Sequence, residues 1–392
     1  MSHAPPIARP LRVLQVTEAA GGGVRRHLQR LLPELRQGGM EVDVLLASGR
    51  AEPGLDGDLA SYRALGCRTA TFSGRGTLGT LWRGIPAFRQ ALRAWHPDVV
   101  HLHATRAGLL GRLGAPRAPR SVLVYSPHAF AFQATAPPLQ AWLARRLERF
   151  LAGRTAALVC VAQAERDLAL AALGRTPAGR LVVIENGLEA QFRDRLLPRD
   201  GARAEWGIPP EECLLGFAGR LVPQKDLETL LRALALARPR LPRFRLAVCG
   251  NGPLETSLRA LADALGLEAQ ITWRGFVADL PRRMAAFDLL ALPSRYEGFS
   301  YTLLEALAAG VPVLATDLPA NLPRPELRGP ICLLEPGAVA AWAEGLVAAL
   351  HDLPARQQQT AALAAWVCQE FSASRQAAAL AALYASLAAT SA

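Results

Sequence analysis

The sequence predicts an α/β chain of two doubly wound units, each built on a parallel sheet. Short apolar runs of strand type alternate with amphipathic helical segments along almost all of its 392 residues. The alternation restarts after "RDRLLPRDGARAEWGIPPEE" (193–212), which reads as a linker because Pro, Gly and charge dominate it. No run of 18 apolar residues interrupts the pattern, so nothing in it is suited to span a bilayer.

In the first half "LRVLQV" (11–16) reads as a buried strand and "VRRHLQRLLPEL" (24–35) as a helix. The runs "EVDVLLA", "DVVHLHA", "SVLVYSP", "ALVCVA" and "LVVIENG" follow as strands. Between two of them, "TLWRGIPAFRQALRAW" puts Leu81, Phe88, Leu92 and Trp95 on one face of a core-facing helix. The second half repeats the grammar with "CLLGFAG", "FRLAVCG", "ITWRGF", "DLLALPS" and "VPVLATD" as strands. This predicts a first domain over 1–190, a second over 191–355, and C-terminal helices over 356–392 that pack back on the first. Two such domains would face a central cleft, with ligands at the carboxyl ends of the strands.

Composition narrows the class. The chain is 51% hydrophobic and 20% charged, which is ordinary globular material. Its first 25 residues lack a basic stretch followed by an apolar one, so no secretory leader is expected. The six cysteines are scattered without a CxxC pair, which argues against disulfides and structural zinc. Cys160 and Cys249 lie in apolar runs and read as small buried hydrophobes. A cytoplasmic protein is expected. The net charge is +11, and residues 1–190 carry all of it, with 24 arginines against 13 acids. Such a half suits an anionic partner: a membrane surface, a nucleic acid or a phosphorylated substrate.

The strand ends hold the candidate chemistry. Gly21, Gly22 and Gly23 open a helix after the first strand, where backbone N–H groups could approach a phosphate. A plain tight turn is an equal reading, and neither GxGxxG nor a P-loop is present. His101 and His103 share a face and read as structural, with no further metal ligands to be found in the sequence. His128, just past a strand, also reads as structural on its own. Arg220 and Lys225 stand five apart at the start of a helix and would clamp a diphosphate. Lys225 is the sole lysine among 44 basic residues. Chance could leave it there; so could a need for a compact ammonium. Gly250 and Gly252 permit close backbone approach to a ligand. In "PSRYEGFSYTLLEALAAG" a helix begins near Ser300, with N–H groups of residues 299–302 open to an anion. Glu297 in the loop and Glu305 in the helix would accept hydroxyl hydrogen bonds. The triplet Asp56-Gly57-Asp58 sits in a polar stretch and reads as solvated surface.

In order, "EAAGGGVRRHL", "PDVVHLHATRAGLLGRL", "YSPHAF", "VCVAQAERD", "VIENGLE", "GRLVPQKD", "CGNGP", "RGFVADL" and "LPSRYEGFSYTLLEALAAGVPVLATD" resemble the retaining glycosyltransferases of the GT4 family, of the bacterial polysaccharide and glycolipid type. The resemblance covers nearly the whole chain. It implies the GT-B fold, two Rossmann-like domains facing a cleft, and transfer of a sugar from a nucleotide-sugar donor to an acceptor with retention. It implies that Arg220 and Lys225 hold the donor diphosphate, Glu297 meets the donor sugar, Glu305 binds the ribose, and His128 approaches the sugar. The implied donor-binding set also includes Gly22, Gly23, Gly250, Gly252, Phe276, Phe299, Ser300 and Tyr301, the backbone around Phe276 meeting the base. The implied mechanism is front-face attack, in which the leaving diphosphate takes the acceptor's proton; no metal or other cofactor is then needed. The sequence departs from the family where Asp226 replaces a frequent Gly, where Ser300 stands for a frequent Gly, and where "LPANLPRPELRGP" replaces a Gly-Gly and Glu segment.

Two other readings fit fewer residues. A sugar-nucleotide epimerase of the same fold would need no acceptor. A basic nucleic-acid-binding protein lacks aromatics interleaved with its arginines, so no nucleic-acid partner is expected. The lopsided charge suggests a lipid-linked or other glycan acceptor, approached as a peripheral protein at the inner face of an anionic membrane. "ARRLERFLAGR" (144–154) is the candidate contact, with a solvated helix face as an equal reading.

Overall fold

Apolar runs flanked by Gly and charge become buried strands, and the amphipathic segments between them cross back over the sheet as helices. The computed structural model describes residues 9–391 except 20, 50–52, 75, 117–119, 134–136 and 174–179. Part of the leader reading, residues 1–8, lies outside the described residues. The chain divides into two units, Met1–Gly187 with Ala373–Ala392, and Leu188–Ser372.

The first unit runs β1 (Arg12–Thr17), α1 (Gly22–Gln37), β2 (Glu41–Ala47), α2 (Leu55–Ala64), β3 (Thr69–Phe72), α3 (Gly76–Trp95), β4 (Val99–His103), α4 (Thr105–Gly114), β5 (Val122–Ser126), α5 (Pro138–Ala152), β6 (Ala157–Cys160), α6 (Gln163–Leu173) and β7 (Arg180–Val183). Its seven strands lie in the order β3-β2-β1-β4-β5-β6-β7, paired in parallel. The winding reverses between β1 and β4, the switch point at which such sheets bind ligands. One core, around Leu31, Val44 and Val124, takes α1; another, around Phe88, Leu102 and Tyr125, takes α3 and the small residues Ala141 and Ala144 of α5.

The second unit runs α7 (Arg199–Glu205), β8 (Cys213–Ala218), α8 (Leu227–Ala237), β9 (Phe244–Cys249), α9 (Glu255–Ala264), β10 (Ile271–Gly275), β11 (Leu289–Leu292), α10 (Tyr301–Ala308), β12 (Val313–Thr316), β13 (Ile331–Leu334), α11 (Val339–His351) and α12 (Leu353–Glu370). The sheet order is β10-β9-β8-β11-β12-β13, again parallel, with its switch point between β8 and β11. The last helix, α13 (Ala373–Ser391), returns to the first unit, where Leu380, Leu383 and Tyr384 join the α1 core.

Three expectations about organisation change. Residues 193–212 are not a linker but part of the second unit. Arg203 of α7 is buried, and its guanidinium lies 3.0 Å from Asp288, whose carboxylate also accepts the Leu214 N–H at 2.7 Å. Composition alone hid this, because a buried arginine looks like a surface one. The tail is not one body: α12 stays with the second unit, beside α10, and only α13 joins the first. Asp56–Asp58 is the first turn of α2 rather than loop, and Asp58 holds Arg25 of α1 at 2.5 Å. All six cysteines are free, with Cys160 and Cys249 buried as read. The segment after β12 folds as two short 3₁₀ turns, with Asn321 buried and donating to the Thr316 carbonyl at 2.9 Å.

A buried ion pair fixes α5 to α4. Arg112 and Glu148 meet through two hydrogen bonds of 2.8 and 3.1 Å, with the guanidinium 4.1 Å from the Tyr125 ring centroid. Their side chains are only 1% and 4% exposed. Removing one partner leaves a buried charge uncompensated. Glu148→Ala should therefore cost about 3–5 kcal/mol in chemical denaturation. Arg112→Met with Glu148→Leu should recover most of that loss. A single-variant cost below about 1 kcal/mol would show that the pair carries little.

Candidate active site

Arg220, Lys225, Glu297 and Ser300 lie together at the switch point of the second sheet, while Gly250 and Gly252 follow β9 and Phe276 follows the edge strand β10. Arg220 follows β8 and is exposed, and no hydrogen bond or ion pair holds its guanidinium among the described residues. Lys225 ends a short 3₁₀ turn, and its ammonium pairs with Glu297 in the loop after β11. The sequence reading gave these two separate tasks; the fold puts them in contact. The lysine stem lies along bare backbone, since a Cβ on Gly219 would stand 3.4 Å from the stem carbons Cγ and Cδ. That slot suits an unbranched chain with a point charge better than a planar fork.

The two loops are stitched together. The Arg295 N–H donates to the Gln224 carbonyl at 2.8 Å, and Gln224 Nε2 donates to the Tyr296 carbonyl at 3.1 Å. Asp226, the departure from a frequent Gly, has φ of 46°. That left-handed conformation is why Gly is favoured there, and Asp is among the few residues that tolerate it. Its carboxylate is buried and takes bonds from Thr229 at 2.9 Å and Arg295 at 3.1 Å.

Gly250 and Gly252 lie close to protein backbone. A Cβ on Gly250 would stand 1.9 Å from the Gly219 carbonyl oxygen, and one on Gly252 2.3 Å from that of Leu221. They let the loop after β9 press against the Arg220 loop, which donates to it from Gly219 and Leu221 at 3.0 Å. Buttressing that loop is thus one reason for these glycines beside the expected ligand approach. Ser300 caps α10, its hydroxyl accepting the Leu303 N–H at 3.4 Å. The other N–H groups of a first turn have no acceptor within their helix. The side chains of Phe299 and Tyr301 are buried, the Phe299 ring 5.5 Å from that of Phe371, so what these residues can turn outward is backbone. Glu305 is fully buried in α10, while Phe276, just past β10, is exposed.

In the first unit the switch point holds a cluster of four histidines. Gly22 has φ of 60°, as a glycine turn requires, whereas a Cβ on Gly23 would meet open space. His103 Nε2 lies 2.6 Å from Gln15 Oε1 and so donates to it. His103 Nδ1 is then an acceptor, and His128 Nε2, 3.0 Å away, donates to it. This leaves Nδ1 as the lone-pair nitrogen of a neutral His128. His27 Nδ1 donates to Asn186 at 3.3 Å, and His101 bridges Tyr384 at 2.6 Å and Ser126 at 2.8 Å. His128 and Ala129 have φ of 52° and 98°, a strained pair for non-glycine residues. Glu165 of α6 holds that turn, accepting the N–H groups of Ala129 at 2.7 Å and Val161 at 2.8 Å.

Ligand atoms of His27, His103 and His128 lie within 4.8 Å of one another, a grouping absent from the sequence reading. These three are the described residues most suited to a transition metal. Two nitrogens on a tetrahedral zinc stand about 3.3 Å apart for bonds of about 2.0–2.1 Å. The 3.0 Å approach of His103 to His128 matches a shared proton, which accounts for the contact. Sequence reasoning missed His27, which packs on His128, and Gln15, Asn186, Glu165 and Tyr384, which hold its neighbours. Gln15 did carry a signal, a long polar side chain within the otherwise apolar run 13–16.

Burial pushes all four histidines toward the neutral form, His27 down to about 4 and the others well below the ordinary value. Below about pH 6.5 the unfolded chain binds protons that the native chain refuses, so stability falls with pH. For His27 alone the loss between about pH 6.5 and 4 is about 3 kcal/mol. Denaturation midpoints should drop over that window, and His27→Gln should flatten the slope. Equal slopes in both proteins would contradict the assignment.

A family model described as Glycosyltransferase Family 4 matches residues 21–192, and one described as Glycosyl transferases group 1 matches residues 198–364. The UDP-Gal:alpha-D-GlcNAc-diphosphoundecaprenol alpha-1,3-galactosyltransferase of Escherichia coli is 27% identical over 57% of this chain and 59% of its own length. The D-inositol 3-phosphate glycosyltransferase of Nocardia farcinica is 28% identical over 89% of this chain and 80% of its own. The chain spans about six tenths of the length of several curated relatives it matches. Among solved structures, Anabaena HepE in complex with UDP and glucose superposes with a TM-score of 0.79 at 21% identity, over 96% of this chain and 100% of that one. With two parallel-sheet units and both family models matched in order, the chain belongs to the GT4 glycosyltransferases and has their GT-B fold.

Proposed function

We propose that this protein transfers a sugar from a nucleotide-sugar donor to a lipid-linked or other cell-envelope glycan acceptor, with retention at the anomeric carbon. The observation that carries the reading is the second unit's switch point. An unpaired Arg220, the slotted Lys225 and the first turn of α10 all follow neighbouring strands there. Such a group neutralises a diphosphate. The solved HepE complexes with UDP and the E. coli relative's UDP-Gal support a nucleotide sugar as donor.

In the reaction the acceptor hydroxyl oxygen bonds to the anomeric carbon on the face from which the diphosphate departs. The bond from that carbon to the phosphate oxygen breaks, and the hydroxyl proton passes to the leaving phosphate. Arg220 and Lys225 stabilise the charge that grows on it. Glu297 holds the ammonium before the donor arrives and meets the sugar hydroxyls afterwards. Glu305 takes the ribose diol, and neutral His128, its tautomer set through His103, approaches the sugar. None of these steps calls for a metal ion. Among the described residues no helix is long and apolar enough to cross a membrane. We place the enzyme in the cytoplasm, peripheral to the inner face of the membrane.

Thermal shifts with UDP, GDP and ADP, and their sugars, test the donor. The right nucleotide at 100 times Kd should add about 2.7 kcal/mol of stability. Sugar transfer should then require an acceptor and continue in chelator; turnover of the donor without acceptor would favour an epimerase.

The cations and the glutamates should separate by variant. Arg220→Ala and Lys225→Ala should each lower kcat/KM by about tenfold or more, and Lys225→Arg should not restore it. Glu305→Ala should weaken binding of free nucleoside diphosphate. Glu297→Ala, which frees the lysine, should leave that binding intact and damage transfer. Equal loss of nucleotide binding in both glutamate variants would refute the division of labour.

A further inference from the structure

Helix α5 carries its large apolar residues outward. Its sheet-facing stripe is Ala141, Ala144, Glu148, Leu151 and Ala152, mostly small, with Glu148, Leu151 and Ala152 buried. The opposite stripe is Leu139, Trp142, Leu143, Leu147 and Phe150, exposed to 67%, 51%, 52%, 40% and 75%. The spacing of three and four residues aligns those five side chains along one face. Arg146 falls within the stripe and Arg145 and Arg149 run along its edge, all three exposed. Arg146 lies 5.0 Å from the Trp142 ring centroid and Arg145 5.4 Å from that of Phe132. None of the three has a carboxylate partner among the described residues. The helix's one acid, Glu148, points inward to Arg112. The exposed face is thus apolar and basic together, where an ordinary solvated face is polar.

A second apolar patch lies on the same face of the sheet, because α3 packs on the same core as α5. There Leu78 and Trp82 are each 83% exposed, beside a groove lined by Leu81, Ile85 and Pro86. Large apolar side chains flanked by arginines, with no acid, match a surface that is oily below and anionic above. Long arginine stems can lie along the apolar stripe while their heads reach phosphates. A second copy of this chain fits poorly, since the arginines would face arginines.

We propose that α5, helped by the first turns of α3, is the element that seats this protein on an anionic bilayer. Leu139, Trp142, Leu143, Leu147 and Phe150 enter the headgroup boundary, and Arg145, Arg146 and Arg149 meet lipid phosphates. The proposal rests on the glycosyl-transfer reading only for its purpose, since binding is measured without donor or acceptor.

The test is co-sedimentation of the full chain with vesicles of phosphatidylcholine alone or mixed with phosphatidylglycerol. Binding should require the anionic lipid and fall at least tenfold as salt rises from about 0.05 to 0.5 M. Trp142→Ser with Phe150→Ser should cut partitioning about tenfold at an unchanged salt slope. Arg145→Gln, Arg146→Gln and Arg149→Gln together should flatten that slope. The thermal shift with nucleoside diphosphate should be unchanged in both variants, which shows that they fold. Wild type that ignores anionic vesicles, or variants that bind like wild type, overturn the proposal. So does a concentration-dependent dimer abolished by the same substitutions, or an acidic protein that displaces vesicles at equal concentration. If vesicles bind but no nucleotide shifts the melting curve, the docking surface stands and the glycosyl-transfer reading fails.

Discussion

Polar side chains buried at the carboxyl ends of parallel strands must find partners inside the protein, and both units are organised around that requirement. In the first, Gln15 and Thr17 on β1, His101 and His103 on β4 and Ser126 on β5 are all buried. The strand register sets Thr17 beside His103 and His103 beside Ser126. Each would be costly without a hydrogen bond. Tyr384, 2.6 Å from His101, comes from far along the chain, so satisfying that histidine also fixes α13. In the second unit Asp226 meets the same demand in the loop after β8, while Asp288 meets it at the opposite, amino end of β11, where it holds α7 and the start of β8.

Much of the fold was legible because alternation and turn chemistry are local. Strands such as Arg12–Thr17 and Cys213–Ala218 lie within a residue of where the apolar runs put them. The boundaries were less legible, since they depend on what a residue touches. Arg203 reads as linker charge until Asp288 is seen beside it. The tail reads as one helical body until α12 and α13 go to different units. At the site, Arg220, Lys225, Glu297 and Ser300 were visible as motif positions at strand ends. The cradle of His128 was not, because its contacts join residues as distant as His101 and Tyr384, 283 apart.

The lone lysine and its neighbour Asp226 show how one backbone turn dictates side chains. Gly219 opens the slot for the lysine stem, and the left-handed residue that follows the lysine restricts its own identity. Asp meets that restriction while adding a buried carboxylate that holds Arg295. A glycine there would satisfy the backbone but leave the 295 loop to find another anchor. The acidic replacement therefore supports the Glu297 loop rather than intruding on a phosphate site.

The free cysteines have a practical consequence. Burial raises every one of their thiols above its ordinary value, Cys67 to about 11 and Cys213 and Cys249 to about 12. Thiolate is the reactive species, so at neutral pH these six are poor nucleophiles. A cysteine introduced at an exposed position would be far more reactive toward maleimides than any native one. Spectroscopic labels could thus be attached at chosen points on either unit without first stripping the natural thiols from the chain.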